Sequence, residues 1–300
     1  MEALINLIPV SDDLWLFLVI DMAIAVFLMT MLRWISGRLM GDKDNQELVK
    51  HDNFAFGISV AGRMMALAIV LAVAVSNSIS ESLLGSVIGT LSYGLLGIFL
   101  IKVGRFAHDK FVLHRLDKEF HIRDRNMSIA LVDASSSIAT ALIIQSVMAW
   151  AEGFDLNALL AILSGFVVSQ AILLAMTRIY ERRFAENNRS GSLQASLTKG
   201  QMALAVQHSG HLLGTALAVT AAGDLLVYNP VGYVSNLTSW LIVGLALAMI
   251  LAFLVILARR FILANVDLVQ EIDQQHNVGV ASIELALSVG IALILTGLIN

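Results

Sequence analysis

HDNFAFGISVAGRMMAL, residues 51–67, is answered 148 positions later by KGQMALAVQHSGHLLGT, residues 199–215. Each copy is an apolar, helix-forming stretch that holds one strongly polar residue about three turns in, Arg63 in the first and His211 in the second. A second echo, NMSIALVD at 126–133 and NVGVASIE at 277–284, places an acid seven residues after an asparagine: Asp133, then Glu284. The chain reads as two halves, 1–152 and 153–300, each carrying one basic or titratable group and one acid inside apolar helices.

Hydrophobic residues make up 58% of the 300, and mean hydropathy is +0.81. Soluble domains hold roughly 45–50% apolar residues, so the composition excludes an ordinary soluble chain. Eight apolar runs follow, at about 14–35, 54–76, 83–104, 127–150, 157–177, 201–223, 234–258 and 278–299. Each is long enough to cross a ~30 Å hydrocarbon core, which takes about 20 helical residues. Continuous apolarity, without the alternation of barrel strands, selects helices as the spanning solution. The fold class expected is all-α: a polytopic membrane protein with eight transmembrane helices in two four-helix repeats. Four crossings per repeat is an even number, so the repeats are parallel, related by an axis along the membrane normal. No basic segment precedes the first run, so no cleaved signal peptide is expected. Cysteine is absent, which removes disulfides and thiolate chemistry, and both prolines, Pro9 and Pro230, lie outside the apolar runs.

Charge is segregated along the chain. Of the 19 lysines and arginines all but Arg63 lie in the first, third, fifth and seventh connections. The positive-inside rule makes those connections cytoplasmic and puts both termini outside, on the periplasmic side. The other side carries acids, among them Glu2, Asp12, Asp13, Glu81, Glu152, Asp155 and Asp224. Trp15 and Trp34 bracket the first run as interfacial indoles do. In the long third connection Phe106, Leu113, Leu116 and Phe120 recur roughly at helical spacing among the charges. The reading preferred is a solvated, partly helical linker, with a third helix that runs on into the cytoplasm or lies along the anionic leaflet as the alternative. Residues 187–192, NNRSGS, read as a flexible polar tip and a site for proteolytic nicking.

A charge near mid-bilayer costs about 2.5–3.5 kcal/mol on the lenient insertion scale, so it must face protein or water and find a partner. Arg63 and Asp133 fall at depths that differ by roughly 5 Å at 1.5 Å per residue. The expected pairs are therefore Arg63 with Asp133 and His211 with Glu284. Asp21 enters from the other side as a third acid, and Gln207 and His208 extend the polar stretch around His211. Ser135, Ser136 and Ser137 form a stripe that should avoid lipid, while Gly85 with Gly89 and Gly210 with Gly214 form GxxxG spacings suited to close helix packing. Two readings of the pairs stay open. They are buried locks, or the second pair is titratable, because histidine changes charge near neutral pH and arginine does not.

The pattern DN-x-A-x-G-x-x-x-A-G from Asp52 to Gly62, with Asn126 and Ala130 and then Asn277 and Ala281, resembles the YjfL-type bacterial inner-membrane family. Its members are built from a four-helix domain of unknown function, sometimes duplicated, and the resemblance covers the whole chain as two copies. The second copy departs at Gly200 and Gln201, where the first has Asp52 and Asn53. The resemblance implies a bacterial inner-membrane location and an association with envelope stress. It supplies no catalytic residues.

Two functions fit these residues. One is a small-ion or proton-linked channel or permease, with a path at the level of His211, Glu284 and Asp21. The other is a non-transporting scaffold whose basic connections recruit envelope-stress proteins or anionic lipid. No nucleophile, P-loop or metalloprotease motif points to an enzyme. No cofactor, metal or nucleic-acid partner is assigned; the bilayer is the one certain partner expected, with a homo-oligomer as a further candidate.

Overall fold

The computed structural model describes residues 14–40, 46–77, 83–151, 153, 155–188 and 191–299. Glu2, Asp12, Asp13, Glu81, Glu152, the Trp34 side chain and Arg189–Ser190 of the polar tip lie outside the described residues. Eight long helices, numbered in chain order, carry the fold: α1 (Leu14–Met40), α2 (Phe54–Asn77), α3 (Leu83–Phe111), α4 (Met127–Trp150), α5 (Leu156–Asn187), α6 (Met202–Thr220), α7 (Tyr233–Ile262) and α8 (Val278–Ile299). Among the described residues there is no strand. Six of the helices, α2 to α5, α7 and α8, are long and apolar enough to cross a membrane. The apolar part of α1 is shorter, at Trp15–Met31. The polar residues Gln207, His208, Ser209 and His211 crowd the first half of α6, which its neighbours cover.

Helices α2, α4, α6 and α8 form the centre, with α2 against α4, α4 against α6 and α6 against α8. The glycines of the echoed stretch explain the first and last of these contacts. A Cβ on Gly62 would fall on the Cα and Cβ of Ala134, and one on Gly210 would lie 2.6 Å from the Cα of Leu285. Positions 62 and 210 differ by the repeat offset, so the same backbone approach is built twice, as small residues allow. Gly214 continues it, with a Cβ that would lie 2.8 Å from the Ser288 carbonyl oxygen.

All four central helices begin at the end of the molecule that bears the basic connections, and they begin alike. Asp52, Arg125, Gly200 and His276 have φ of 48°, 64°, 79° and 58°. Each turns the chain through the left-handed region just before a capping residue, although only one of the four is the glycine that region favours. Asn53, Asn126 and Asn277 then accept from the backbone N–H groups of Phe56, Ile129 and Val280, each at 3.1 Å. Such caps satisfy donors that the first turn leaves open. The Asn53 amide also donates to Glu47 and holds that carboxyl below its ordinary range. The solvated linker expected for the third connection is corrected: α3 runs on to Phe111, Val112 and Leu113 are then buried, and a short helix, Lys118–Arg123, packs against α2 and α4.

Candidate functional site

Asp133, fully buried on α4, is the centre of the first half's polar cluster. Lys118 Nζ lies 2.7 Å and Arg105 Nη2 3.1 Å from its Oδ1. The Ser59 hydroxyl donates to Oδ2 at 2.5 Å. Lys118 also grips Asp109, at 2.6 Å. Arg63, the partner expected from the sequence, reaches this acid through an intermediary. Its Nε donates to the Ser59 carbonyl at 3.3 Å and its Nη2 to the Ser59 hydroxyl at 3.4 Å, while the direct ion pairs come from Arg105 and Lys118. Ser136 and Ser137 donate their hydroxyls to the Asp133 carbonyl and are buried with Ser135, away from lipid as expected. The space left among these groups is about 10 Å³.

The second half repeats the plan with different side chains. Glu284 on α8, 1% exposed, is in ion-pair contact with Arg259 of α7. Gln207, at the repeat position of Ser59, donates to Glu284 Oε2 at 3.4 Å. The expected bond between His211 and Glu284 gives way to this pair, because His211 lies against Tyr180 of α5, ring centroids 4.3 Å apart. The Tyr180 hydroxyl donates to Gln207 Oε1 at 2.7 Å, which ties the aromatic pair to the acid through the glutamine. The recurring unit is thus an acid on the fourth helix of each half, an arginine from the end of the third, and a polar side chain from the second.

The two copies differ in what fills them. Beside Arg259 and Gln207, the two partners of Glu284, there is a cavity of about 250 Å³ lined by these two with Tyr180, Arg183, His211 and Asp273, among others; Glu284 itself lies behind its lining. It opens because nothing in the second half takes the place of Lys118, and because His211 replaces the longer Arg63. Asp273, at the mouth, accepts a hydrogen bond from Asn188 at 2.6 Å, yet burial pushes its carboxyl above the usual range. Glu284 Oε1 has no hydrogen-bond partner among the described residues. A second cavity, about 570 Å³, lies at the opposite end of the central helices and is bordered by Ser76, Gln145, Trp150, Thr220, Asp224 and Thr296, among others. Burial there raises the Asp224 carboxyl.

The remaining sequence candidates are dispersed. Asp21 accepts from Thr90 of α3 at 3.1 Å, which ties α1 to α3 and places the acid outside the lining of either cavity. His208 turns to the boundary between halves, where its ring centroid is 6.4 Å from that of His108 and 5.5 Å from that of Tyr180. Both histidines are buried, and neither ring has a nitrogen with a hydrogen-bond partner among the described residues. Sequence reasoning missed Arg105, Arg259, Lys118 and Tyr180. The available signal was an arginine at the close of the third apolar run of each half, matched in position to the acids.

No curated protein and no solved structure matches the chain. One family matches residues 8–148 and then residues 154–299, two tandem copies that cover nearly all of the sequence. The chain belongs to the family described as Domain of Unknown Function (DUF350), and the doubled acid–arginine unit lies once in each of its copies.

Proposed function

We propose that the protein is a small-ion or proton-linked permease of a bacterial inner membrane, and that the cavity lined by Gln207, His211 and Arg259, beside Glu284, is its polar station. On this reading the chain crosses eight times, α1 and α6 included, with both termini on the side opposite the basic connections. The supporting observation is that one site is built twice and left open once, about 10 Å³ against about 250 Å³. A cluster meant only to lock helices gains nothing from a cavity, since an empty space beside a buried charge forfeits both packing and solvation. In the second half the acid keeps one oxygen without a partner among the described residues, and His211 lines the cavity together with the acid's partners Arg259 and Gln207. Thr215 lines this cavity and Thr220 the one at the other end. They are five positions apart on α6, about 8 Å at 1.5 Å per residue, a thin barrier for alternating access.

The competing role, a scaffold for the envelope-stress response, requires the same site to be dry. The cysteine-free chain makes the distinction measurable. Thr215→Cys is expected to react with a charged methanethiosulfonate added on the side of the basic connections. Leu67→Cys, at the repeat position in the first half and fully buried, is expected to stay inert. Equal inertness of both thiols would overturn the permease reading and favour the scaffold.

A further inference from the structure

The central helices form a series that one chain leaves unfinished. The cap of each helix reaches the turn ahead of the next. Asn53 Nδ2 donates to the carbonyls of Ile122 and Arg123, at 3.1 and 2.9 Å, ahead of α4. Asn126 Nδ2 donates to those of Leu197 and Thr198, at 2.9 and 3.1 Å, ahead of α6. Gln201 Nε2 lies 3.3 Å from His276 Nε2, ahead of α8. Asn277, the fourth cap, donates at 2.8 Å to Glu271 of its own connection. The next member of the series would be the turn ahead of an α2.

The helix faces tell the same story independently. Where α4 meets α6 the two halves join, and Val132, Ser135, Ala139 and Ile143 of α4 are buried. Their α8 counterparts, 151 positions on, are Ile283, Ala286, Gly290 and Ile294. Ile283 is 43% and Ile294 65% exposed, and a Cβ on Gly290 would meet no atom within 4 Å. On α6, Ser209 and Ala216 are buried. Their α2 counterparts are Ala61, which is exposed, and Ala68, which is half-buried, with Met65 between them 55% exposed. The face that α4 presents to α6 thus recurs on α8, the face that α6 presents to α4 recurs on α2, and both recurrences are bare. Ala61, Ala68, Ala286 and Gly290 are the small positions on these faces, and small residues let another helix backbone approach closely.

We propose that α8 of one copy of this chain packs on α2 of a second copy, repeating between chains the α4–α6 contact made within one. The association is heterologous, so each copy offers α8 to one neighbour and α2 to another, with Asn277 reaching the turn ahead of the second copy's α2.

Disulfide trapping in membranes tests this, since the chain has no cysteine of its own. Ala61→Cys combined with Ala286→Cys places thiols at the counterparts of Ser209 and Ser135. Oxidation is expected to give covalent species of at least twice the monomer mass. The combination Val167→Cys with Phe253→Cys, on exposed positions of α5 and α7, is expected to remain monomeric. Gly290→Trp added to the first pair should abolish the cross-link while leaving thermal unfolding unchanged. A cross-link formed within one chain would overturn the proposal, because α8 would then close on its own α2. So would the absence of any inter-chain cross-link, or one that survives Gly290→Trp.

Discussion

Asp133→Asn is expected to destabilise the protein by about 3–5 kcal/mol, the cost of breaking a buried ion pair by removing one partner. The asparagine would leave Arg105 facing a neutral amide, with an Nε that already lacks a partner among the described residues. Lys118 would keep Asp109 and lose its second carboxylate. Water has little room to take over, because the remaining space is about 10 Å³, at the ~10–15 Å³ that a single water requires. Adding Arg105→Met to Asp133→Asn should recover part of the loss, since the stranded cation goes with its partner. Glu284→Gln should cost less, because Arg259 lines a cavity of about 250 Å³ in which water can solvate the cation left behind. Denaturant unfolding of the purified protein measures all three. Equal costs for Asp133→Asn and Glu284→Gln would contradict the contrast between a filled and an open site.

The second large effect is expected at the paired glycines. An alanine at position 62 or 210 puts its Cβ onto the backbone of the facing helix, at Ala134 or Leu285. Backbone cannot swing aside as a side-chain tip can, so α2 must part from α4, or α6 from α8. One added methyl in a packed interior typically costs about 1–3 kcal/mol, and a leucine at either position should abolish folding. Separation would also stretch the bonds from Ser59 to Asp133 and from Gln207 to Glu284, which cross the same two contacts. Gly290→Ala is the control: no atom lies within 4 Å of its Cβ, and alanine is the better helix former. Folded yield and unfolding should fall for the first two variants and hold for the third.

Much of this was legible in the sequence. The echo of 51–67 at 199–215 gave the doubling, whereas the capping role of Asn53, Asn126 and Asn277 emerged only in the structure, although an N-cap is a local device. The burial of Asp133, Glu284 and the three serines followed from the cost of polar groups in lipid. The pairing did not follow. Arg105 and Arg259 were counted with the solvated connections that orient the chain. A long cationic side chain at a helix end can instead lay its apolar stem along the helix and place its head elsewhere, and here both heads turn inward to the acids. Lys118 was hidden for a different reason, since its burial depends on the short helix 118–123 folding back, a tertiary event without periodicity. The α6 helix shows the converse. Its polar residues lower its hydropathy below that of its neighbours, yet they are what the second site is made from.

Flux of ions and protons through sealed proteoliposomes, under imposed voltage and pH gradients, tests the permease reading most directly. The account predicts flux with the wild-type protein and its loss in Glu284→Gln, whose fold should survive the substitution. Flux absent from wild-type protein under every gradient, or undiminished in Glu284→Gln, would contradict it.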